Sequence, residues 1–83
     1  MVIRQQVLEV LDEVLGLDGR AGAFGDETPL LGAVPELDSM AVVAVINLLE
    51  ERFGFVVDDD EIDGSTFATV GALHGFVLAK VEG

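Results

Sequence analysis

The segment Leu37-Asp38-Ser39-Met40 opens an apolar stretch that continues to Phe53 and stops at Gly54. This pattern predicts a helix that begins at Asp38 or Ser39, because both residue types are common at helix starts and glycine commonly ends helices. Ser39 is then exposed at the helix N-terminus, where the helix dipole favours a phosphate on its hydroxyl. No neighbouring residue could activate this hydroxyl as a nucleophile. Ser39 is therefore predicted to be modified by another enzyme rather than to catalyse.

The alternative is that Asp38 or Ser39 only caps the helix, which is among the commonest uses of both residue types. A cap does not account for what surrounds the pair. Between Leu37 and Asp63 the chain has eight acidic residues and one basic residue, a local net charge of −7. An apolar strip framed by such charge is typical of a docking surface. The predicted docking residues are Met40, Val42, Val45, Glu50, Glu51, Asp59, Asp60 and Glu61.

Composition restricts the possible partners and compartments. The 83 residues are enough for one domain, residues 1–83, and 51% of them are hydrophobic, which favours a folded chain. The net charge of −12 excludes nucleic acid as a natural partner, because its phosphates would be repelled. Without cysteine the chain has no disulfide and no thiol of its own. We expect a cytoplasmic protein with no signal peptide and no membrane contact. Acidic residues interrupt the N-terminal run, and the longest uncharged run, 64–79, is too short and too polar to span a bilayer.

The periodicity predicts an all-α fold of four helices. Apolar residues recur on one face from Val2 to Leu15, and Gly16 ends this first helix. A long loop over 17–37 follows, and we expect Leu30 and Leu31 to anchor it in the core. Four helices joined through one long first loop indicate a small bundle.

The second half of the chain is predicted to contain a short third helix and a final helix. The short helix or helical turn lies in the acidic run 58–63, with Ile62 pointing inward. The final helix spans roughly 70–81, and Thr66 or Thr69 caps it.

Two packing predictions follow for the longer helices. In the second helix we expect Val42 and Val45 to fall partly outward. The inward residues are then Met40, Val43, Ile46 or Asn47, Leu49 or Glu50, and Phe53. Gly71 and Gly75 each cost about 1 kcal/mol relative to alanine in the final helix, so we expect them to permit close helix packing.

Four segments, in this order, resemble the acyl carrier protein family. They are Leu37-Asp38-Ser39-Met40, Leu49-Glu50-Glu51-Arg52-Phe53-Gly54-Phe55, Val57-Asp58-Asp59-Asp60-Glu61-Ile62 and Thr69-Val70-Gly71-Ala72-Leu73. The resemblance implies a four-helix bundle of acyl carrier type with a long first loop and a short third helix. It implies 4′-phosphopantetheine on Ser39, added by a phosphopantetheinyl transferase whose metal and cofactor Asp38 helps to position. The second helix would be the main recognition element.

The implied function is that of a carrier and not of an enzyme. Acyl groups would be carried as thioesters and delivered to partner enzymes of lipid or polyketide metabolism. The implied partners of this monomer are an acyl-loading ligase and acyltransferase or synthase enzymes with basic patches. A hydrophobic acyl chain would gain by entering the bundle, at a pocket that we place between Val43, Ile46, Ile62 and Ala68.

The chain departs from the fatty-acid-synthesis members of that family at the start of the second helix. Those members usually carry leucine after the serine and further acids nearby, whereas this chain has Met40, Ala41 and Ala44. The run 31–40 is more similar to specialised stand-alone carriers associated with dedicated acyl-ligase or exopolysaccharide and sorting systems.

Several functions compete with that of an acyl carrier. An aminoacyl or peptidyl carrier, or an unloaded carrier-like docking module, fits the same residues. A serine hydrolase is remote, because Ser39 lacks the Gly-x-Ser-x-Gly elbow and the only histidine, His74, lies in the last helix. We expect no specific metal site in the acidic run. In an EF-hand frame starting at Asp59, the twelfth residue is Val70 instead of the required glutamate.

The excess of negative charge generates a prediction about stability. Self-repulsion at a net charge of −12 opposes folding, so added salt or millimolar Mg²⁺ should raise the melting temperature. Thermal unfolding followed by circular dichroism, at low salt and with each addition, measures this. An unchanged melting temperature would contradict the prediction.

Overall fold

A computed structural model describes residues 3–32 and 34–82 of the chain. It has three α-helices and two short 3-10 helices: α1 (Ile3–Leu15), the first 3-10 helix (Arg20–Ala23), α2 (Ser39–Phe53), the second 3-10 helix (Asp59–Glu61) and α3 (Val70–Glu82). The described residues form no β-strand, only one isolated bridge between Pro29 and Thr69. The all-α prediction is confirmed. No described helix is both long and apolar enough to cross a membrane.

The predicted count of four helices is not confirmed. The acidic run holds only the three-residue second 3-10 helix, which matches the helical turn that the sequence allowed rather than a third α-helix. Conversely, the segment between α1 and α2 is not a continuous loop, because it contains the first 3-10 helix. Both short helices depend on side chains from elsewhere. For example, the Asp12 carboxylate accepts hydrogen bonds from the amides of Gly19 and Ala21 at 3.1 and 3.2 Å.

Local chemistry fixes both ends of α2, as predicted. The Asp38 carboxylate accepts a hydrogen bond from the Ala41 amide at 2.8 Å, which satisfies one of the free donors at the helix start. At the other end Gly54 adopts φ 76°, and its amide donates to the Glu50 carbonyl at 2.8 Å. Only glycine takes this left-handed conformation without strain.

The core lies where α1 packs against α2 and α3. Each helix contributes a stripe of fully buried apolar side chains, and full burial of one such side chain stabilises the fold by about 1.5–3 kcal/mol. The innermost residues are Val7, Val10 and Leu11 of α1, Val45 and Leu49 of α2, Val70, Leu73 and Val77 of α3, and Leu17, Leu30 and Phe67 of the connections.

A backbone clamp joins the first connection to the start of α3. The amides of Leu30 and Leu31 donate to the carbonyls of residues 68 and 67, at 3.0 and 2.9 Å. In the other direction the amides of residues 70 and 71 donate to the carbonyls of residues 28 and 26, at 3.0 and 2.8 Å. Leu30 is buried as predicted. Leu31 is 47% exposed, so its predicted role as an anchor is wrong. In the clamp the side chains of Leu30 and Leu31 point to opposite sides, and only Leu30 faces inward.

All four basic residues of the chain form ion pairs that join different segments. The pairs are Arg4–Asp26 at 2.8 Å, Arg20–Glu36 at 3.1 Å, Arg52 with Glu9 and Glu13 at 3.8 and 3.7 Å, and Lys80–Glu61 at 2.8 Å. The hydrogen bond from Arg4 holds the pKa of the Asp26 carboxyl below its ordinary value of 3.8. The positive charges therefore serve the fold, while the surplus of acids faces solvent.

The two glycines of α3 have different surroundings. A methyl group at Gly71 would lie 2.9 Å from the Asp26 carbonyl oxygen and 3.2 Å from the Asp26 Cβ. The close approach is therefore to the first connection, not to a helix as predicted. At Gly75 a methyl group would meet no atom within 4 Å, so the packing prediction is wrong for that residue.

This difference gives a matched pair of substitutions. Gly71→Ala should destabilise the protein by about 1–2 kcal/mol, because the clash outweighs the gain in helix propensity. Gly75→Ala should stabilise it by up to about 1 kcal/mol. Urea unfolding of the two variants and the wild type measures both. Equal stability of the two variants would show that the backbone of the clamp can shift to make room for a methyl group at residue 71.

Candidate functional site

Ser39 is the first residue of α2 and is exposed. Its position follows from the cap, because Asp38 ends the connection in an extended conformation and turns the chain into the helix. The hydroxyl of Ser39 and the amides of Ser39 and Met40 have no hydrogen-bond partner among the described residues. The site therefore offers a reachable hydroxyl next to free backbone donors at the positive end of a helix.

This arrangement suits a phosphodiester on Ser39. Backbone amides at a helix start and the helix dipole both stabilise negative charge there. Asp38 uses only Oδ1 to cap the helix, which leaves Oδ2 without a hydrogen bond in the described part of the chain. The sequence left open whether Asp38 or Ser39 caps the helix. In the structure Asp38 is the cap, and the Ser39 hydroxyl makes no hydrogen bond to the described residues.

In the structure α2 is rotated about its axis relative to the orientation that the predicted docking residues require. Met40 is 81% exposed and Val43 is 58% exposed, whereas Val45 is 0% exposed and belongs to the core. Val45 as a docking residue and the predicted inward positions of Met40 and Val43 are therefore wrong. Val42 is half-buried. The helix is apolar on almost every side from Met40 to Leu49, so hydrophobicity alone does not fix its rotation.

One residue could have fixed this rotation. Asn47 is the only polar residue between Met40 and Leu49, and it is exposed on the same face as Met40 and Val43. Had Asn47 been required to face outward, the spacing of 3.6 residues per turn would have placed Val45 inside.

The predicted acidic docking residues have different roles in the structure. Glu51 and Asp60 are exposed and have no ion-pair partner among the described side chains. Glu50 is half-buried, and its Oε2 accepts the Val57 amide at 2.7 Å. Glu61 uses both oxygens within the chain, with Oε1 accepting from Lys80 Nζ and Oε2 from the Asp58 amide, both at 2.8 Å. These two bonds lower the pKa of the Glu61 carboxyl, the one from the Asp58 amide more strongly. The side chain of Asp59 lies outside the described part of the structure.

A small cleft opens between α2 and the segment 57–62. Its volume is about 120 Å³, and its lining consists of Val42, Val43, Ile46, Asn47, Glu50, Val57 and Ile62. Three of the four predicted pocket residues therefore come together. Ala68 does not join them: its carbonyl belongs to the clamp with Leu30, and its side chain is exposed. Sequence reasoning missed Val57, whose apolar side chain directly precedes the acidic run.

A larger concave surface, about 730 Å³, lies along α1 and the first 3-10 helix. Its charged side chains are Arg4, Glu9, Asp12, Glu13 and Arg52. All of them are engaged in the ion pairs described above or, for Asp12, in the hydrogen bonds to the amides of Gly19 and Ala21. This surface contains none of the predicted site residues.

Comparison with known proteins places the site in context. The family model described as phosphopantetheine attachment site matches residues 5–77. The chain is similar to the holo acyl carrier protein of Nitrosomonas europaea, known from a solution NMR structure, with 48% identity over 100% of both chains and a TM-score of 0.91. The comparison with curated proteins found no match.

The division of roles between Asp38 and Ser39 is testable through stability. Asp38→Ala should lower the free energy of unfolding by about 1 kcal/mol, because the Ala41 amide loses its acceptor. Ser39→Ala should leave it unchanged within about 0.5 kcal/mol, since the hydroxyl makes no bond to the described residues. Urea unfolding of the unmodified proteins measures both. A large loss in Ser39→Ala would show that the serine has a structural role.

Proposed function

Because this chain belongs to the acyl carrier protein family, we propose that it carries acyl groups as thioesters on an arm attached to Ser39 and delivers them to partner enzymes. The family consists of carriers and not of enzymes, and its prosthetic group is covalently attached 4′-phosphopantetheine. When bound, this group supplies the thiol that a chain without cysteine lacks. The observation that carries the assignment to Ser39 is its exposed, unbonded hydroxyl at the start of α2.

The residues around Ser39 have two proposed roles in attachment. The free amides at the helix start hold the negative charge of the phosphodiester, which keeps the base of the arm close to the protein. Asp38 caps α2 through Oδ1 and presents Oδ2 to the transferase, in support of the role that the family resemblance implies for it. A rigid helix start gives every partner enzyme the same position for the base of the arm.

Docking is proposed to use the exposed apolar residues Met40 and Val43 with the free acids Glu51 and Asp60. The two apolar side chains are among the most exposed hydrophobic residues described. All four basic residues are paired within the chain, so no described cation screens this face. A partner with a basic patch would be attracted over a longer range and would then bury the two apolar side chains.

The cleft between α2 and segment 57–62 is proposed as the place where an acyl chain is shielded from water. Val43 and Ile46 lie one and two turns after Ser39 along α2, so the cleft begins close to the attachment point. Ile62 supplies the opposite wall. We further propose that the carrier is a cytoplasmic monomer that meets its transferase, loading ligase and acyl-using enzymes there.

Intact mass spectrometry tests the proposal. After coexpression with a promiscuous phosphopantetheinyl transferase, the wild type should gain one phosphopantetheinyl group. The gain should disappear in Ser39→Ala and remain in Ser65→Ala, because the Ser65 hydroxyl is bonded to Asp63. A gain that persists in Ser39→Ala would show that the phosphopantetheinyl group is attached to a different residue. No gain in the wild type would favour the unloaded docking module.

The nature of the cargo is tested on the loaded protein. Incubation with acyl ligases and with amino-acid-activating enzymes, followed by intact mass, should give acyl thioesters. Aminoacyl thioesters alone would favour the aminoacyl or peptidyl carrier.

A further inference from the structure

The wall of the cleft opposite α2 is formed by segment 57–62, and very few hydrogen bonds hold it in place. The second 3-10 helix has three residues and one internal backbone bond, from the Glu61 amide to the Asp58 carbonyl at 3.0 Å. A helix of this length is not stable by itself. Its position depends on the apolar packing of Val57 and Ile62 against the core and on two side-chain ties to the neighbouring helices.

The two ties lie at opposite ends of this wall. Near its start, the Val57 amide donates to Glu50 Oε2 on α2 at 2.7 Å. Near its end, Glu61 Oε1 accepts from Lys80 Nζ on α3 at 2.8 Å. Ile62, which lines the cleft, directly follows Glu61 in the chain. Loss of the Glu61–Lys80 pair would therefore leave the Ile62 end held by apolar packing without a polar tie to α3, while Val57 stays bonded to α2.

The size of the cleft limits what fits while both ties are intact. Its volume is about 120 Å³. A protein cavity of about 150 Å³ holds benzene, a molecule of six carbons. By this comparison the cleft accommodates an acyl chain of about four or five carbons. To enclose a longer chain fully, the wall must move away from α2.

We infer that the Glu61–Lys80 ion pair sets the length of acyl chain that the cleft admits, and that the cleft shields short-chain acyl groups only while this pair is intact. This inference rests on the proposed function, since it concerns the acyl group attached through Ser39. Lys80 is the only lysine of the chain, and its ammonium is the only cation paired with the wall among the described residues. Lys80 and Glu61 determine specificity without touching the reacting atoms.

Methyl NMR of loaded protein tests the inference. A promiscuous transferase loads Ser39 with the acyl-phosphopantetheine of butyryl-, octanoyl- or dodecanoyl-coenzyme A, and intact mass verifies each product. The chain has three isoleucines: Ile46 and Ile62 line the cleft, and Ile3 on α1 does not. In the wild type, butyryl should shift the methyl signals of Ile46 and Ile62 relative to the unacylated arm. Octanoyl and dodecanoyl should not, and Ile3 should stay unchanged.

Variants of the ion pair should remove the length limit. In Lys80→Gln and in Glu61→Gln, octanoyl and dodecanoyl should also shift the methyl signals of Ile46 and Ile62. Arg20→Gln breaks a different surface pair, with Glu36, and should behave as the wild type. Dodecanoyl shifts in the wild type as large as the butyryl shifts would overturn the inference, and so would an unchanged pattern in both cleft variants.

A second measurement uses protein that carries no arm. The Glu61 amide is bonded to Asp58 only while the second 3-10 helix is formed, so its hydrogen exchange reports opening of the wall. Lys80→Gln should accelerate this exchange by up to about fivefold, the factor expected for loss of a partly exposed ion pair. Unchanged exchange would overturn the inference while leaving the proposed function intact. Failure of Ser39 to accept any acyl-phosphopantetheine would instead overturn both.

Discussion

The backbone clamp between residues 26–31 and 67–71 is the contact on which the rest of the fold depends. It supplies acceptors for the first amides of α3 and simultaneously holds Leu30 in the core. Gly71 is required there because any side chain would collide with the Asp26 carbonyl. With the connection fixed at Leu30 and again at buried Leu37, the chain arrives at Asp38 in one direction. The position of Ser39 is thus decided by a contact in another part of the molecule.

Charge is divided between structure and recognition. Every basic side chain pairs with an acid that is distant in sequence. These pairs join the first connection to α1, two parts of that connection to each other, α2 to α1, and the second 3-10 helix to α3. Such partly exposed pairs each contribute at most about 1 kcal/mol, yet they position short segments that have little internal stability. Glu50 and Glu61 therefore position the cleft wall, whereas Glu51 and Asp60 have no ion-pair partner among the described residues and are the acids that we propose for docking.

A structural feature could be predicted from the sequence only where its physical cause lies in residues that are neighbours in the chain. The bounds of α2 were predictable, because Asp38 and Gly54 act on their immediate neighbours. The rotation of α2 was not, since its apolar residues surround the axis and tertiary packing decides which of them face inward. The ties from Glu61 to Lys80 and from Asp26 to Gly71 join residues far apart in sequence, and no periodicity indicates them. The exposed position of Ser39 at the start of α2 was predictable because its signal is short and local, whereas Val57 and Asn47 belong to the cleft only once the chain is folded.

The pairing of Lys80 also bears on the durability of a bound thioester. Thioesters are lost to amines that can reach them. Lys80 carries the only side-chain amine of the protein, and its ion pair with Glu61 at 2.8 Å holds this nitrogen between α3 and the second 3-10 helix. The chain has no cysteine to exchange an acyl group either, so a thioester on the proposed arm meets no protein thiol and only this one side-chain amine, which is ion-paired.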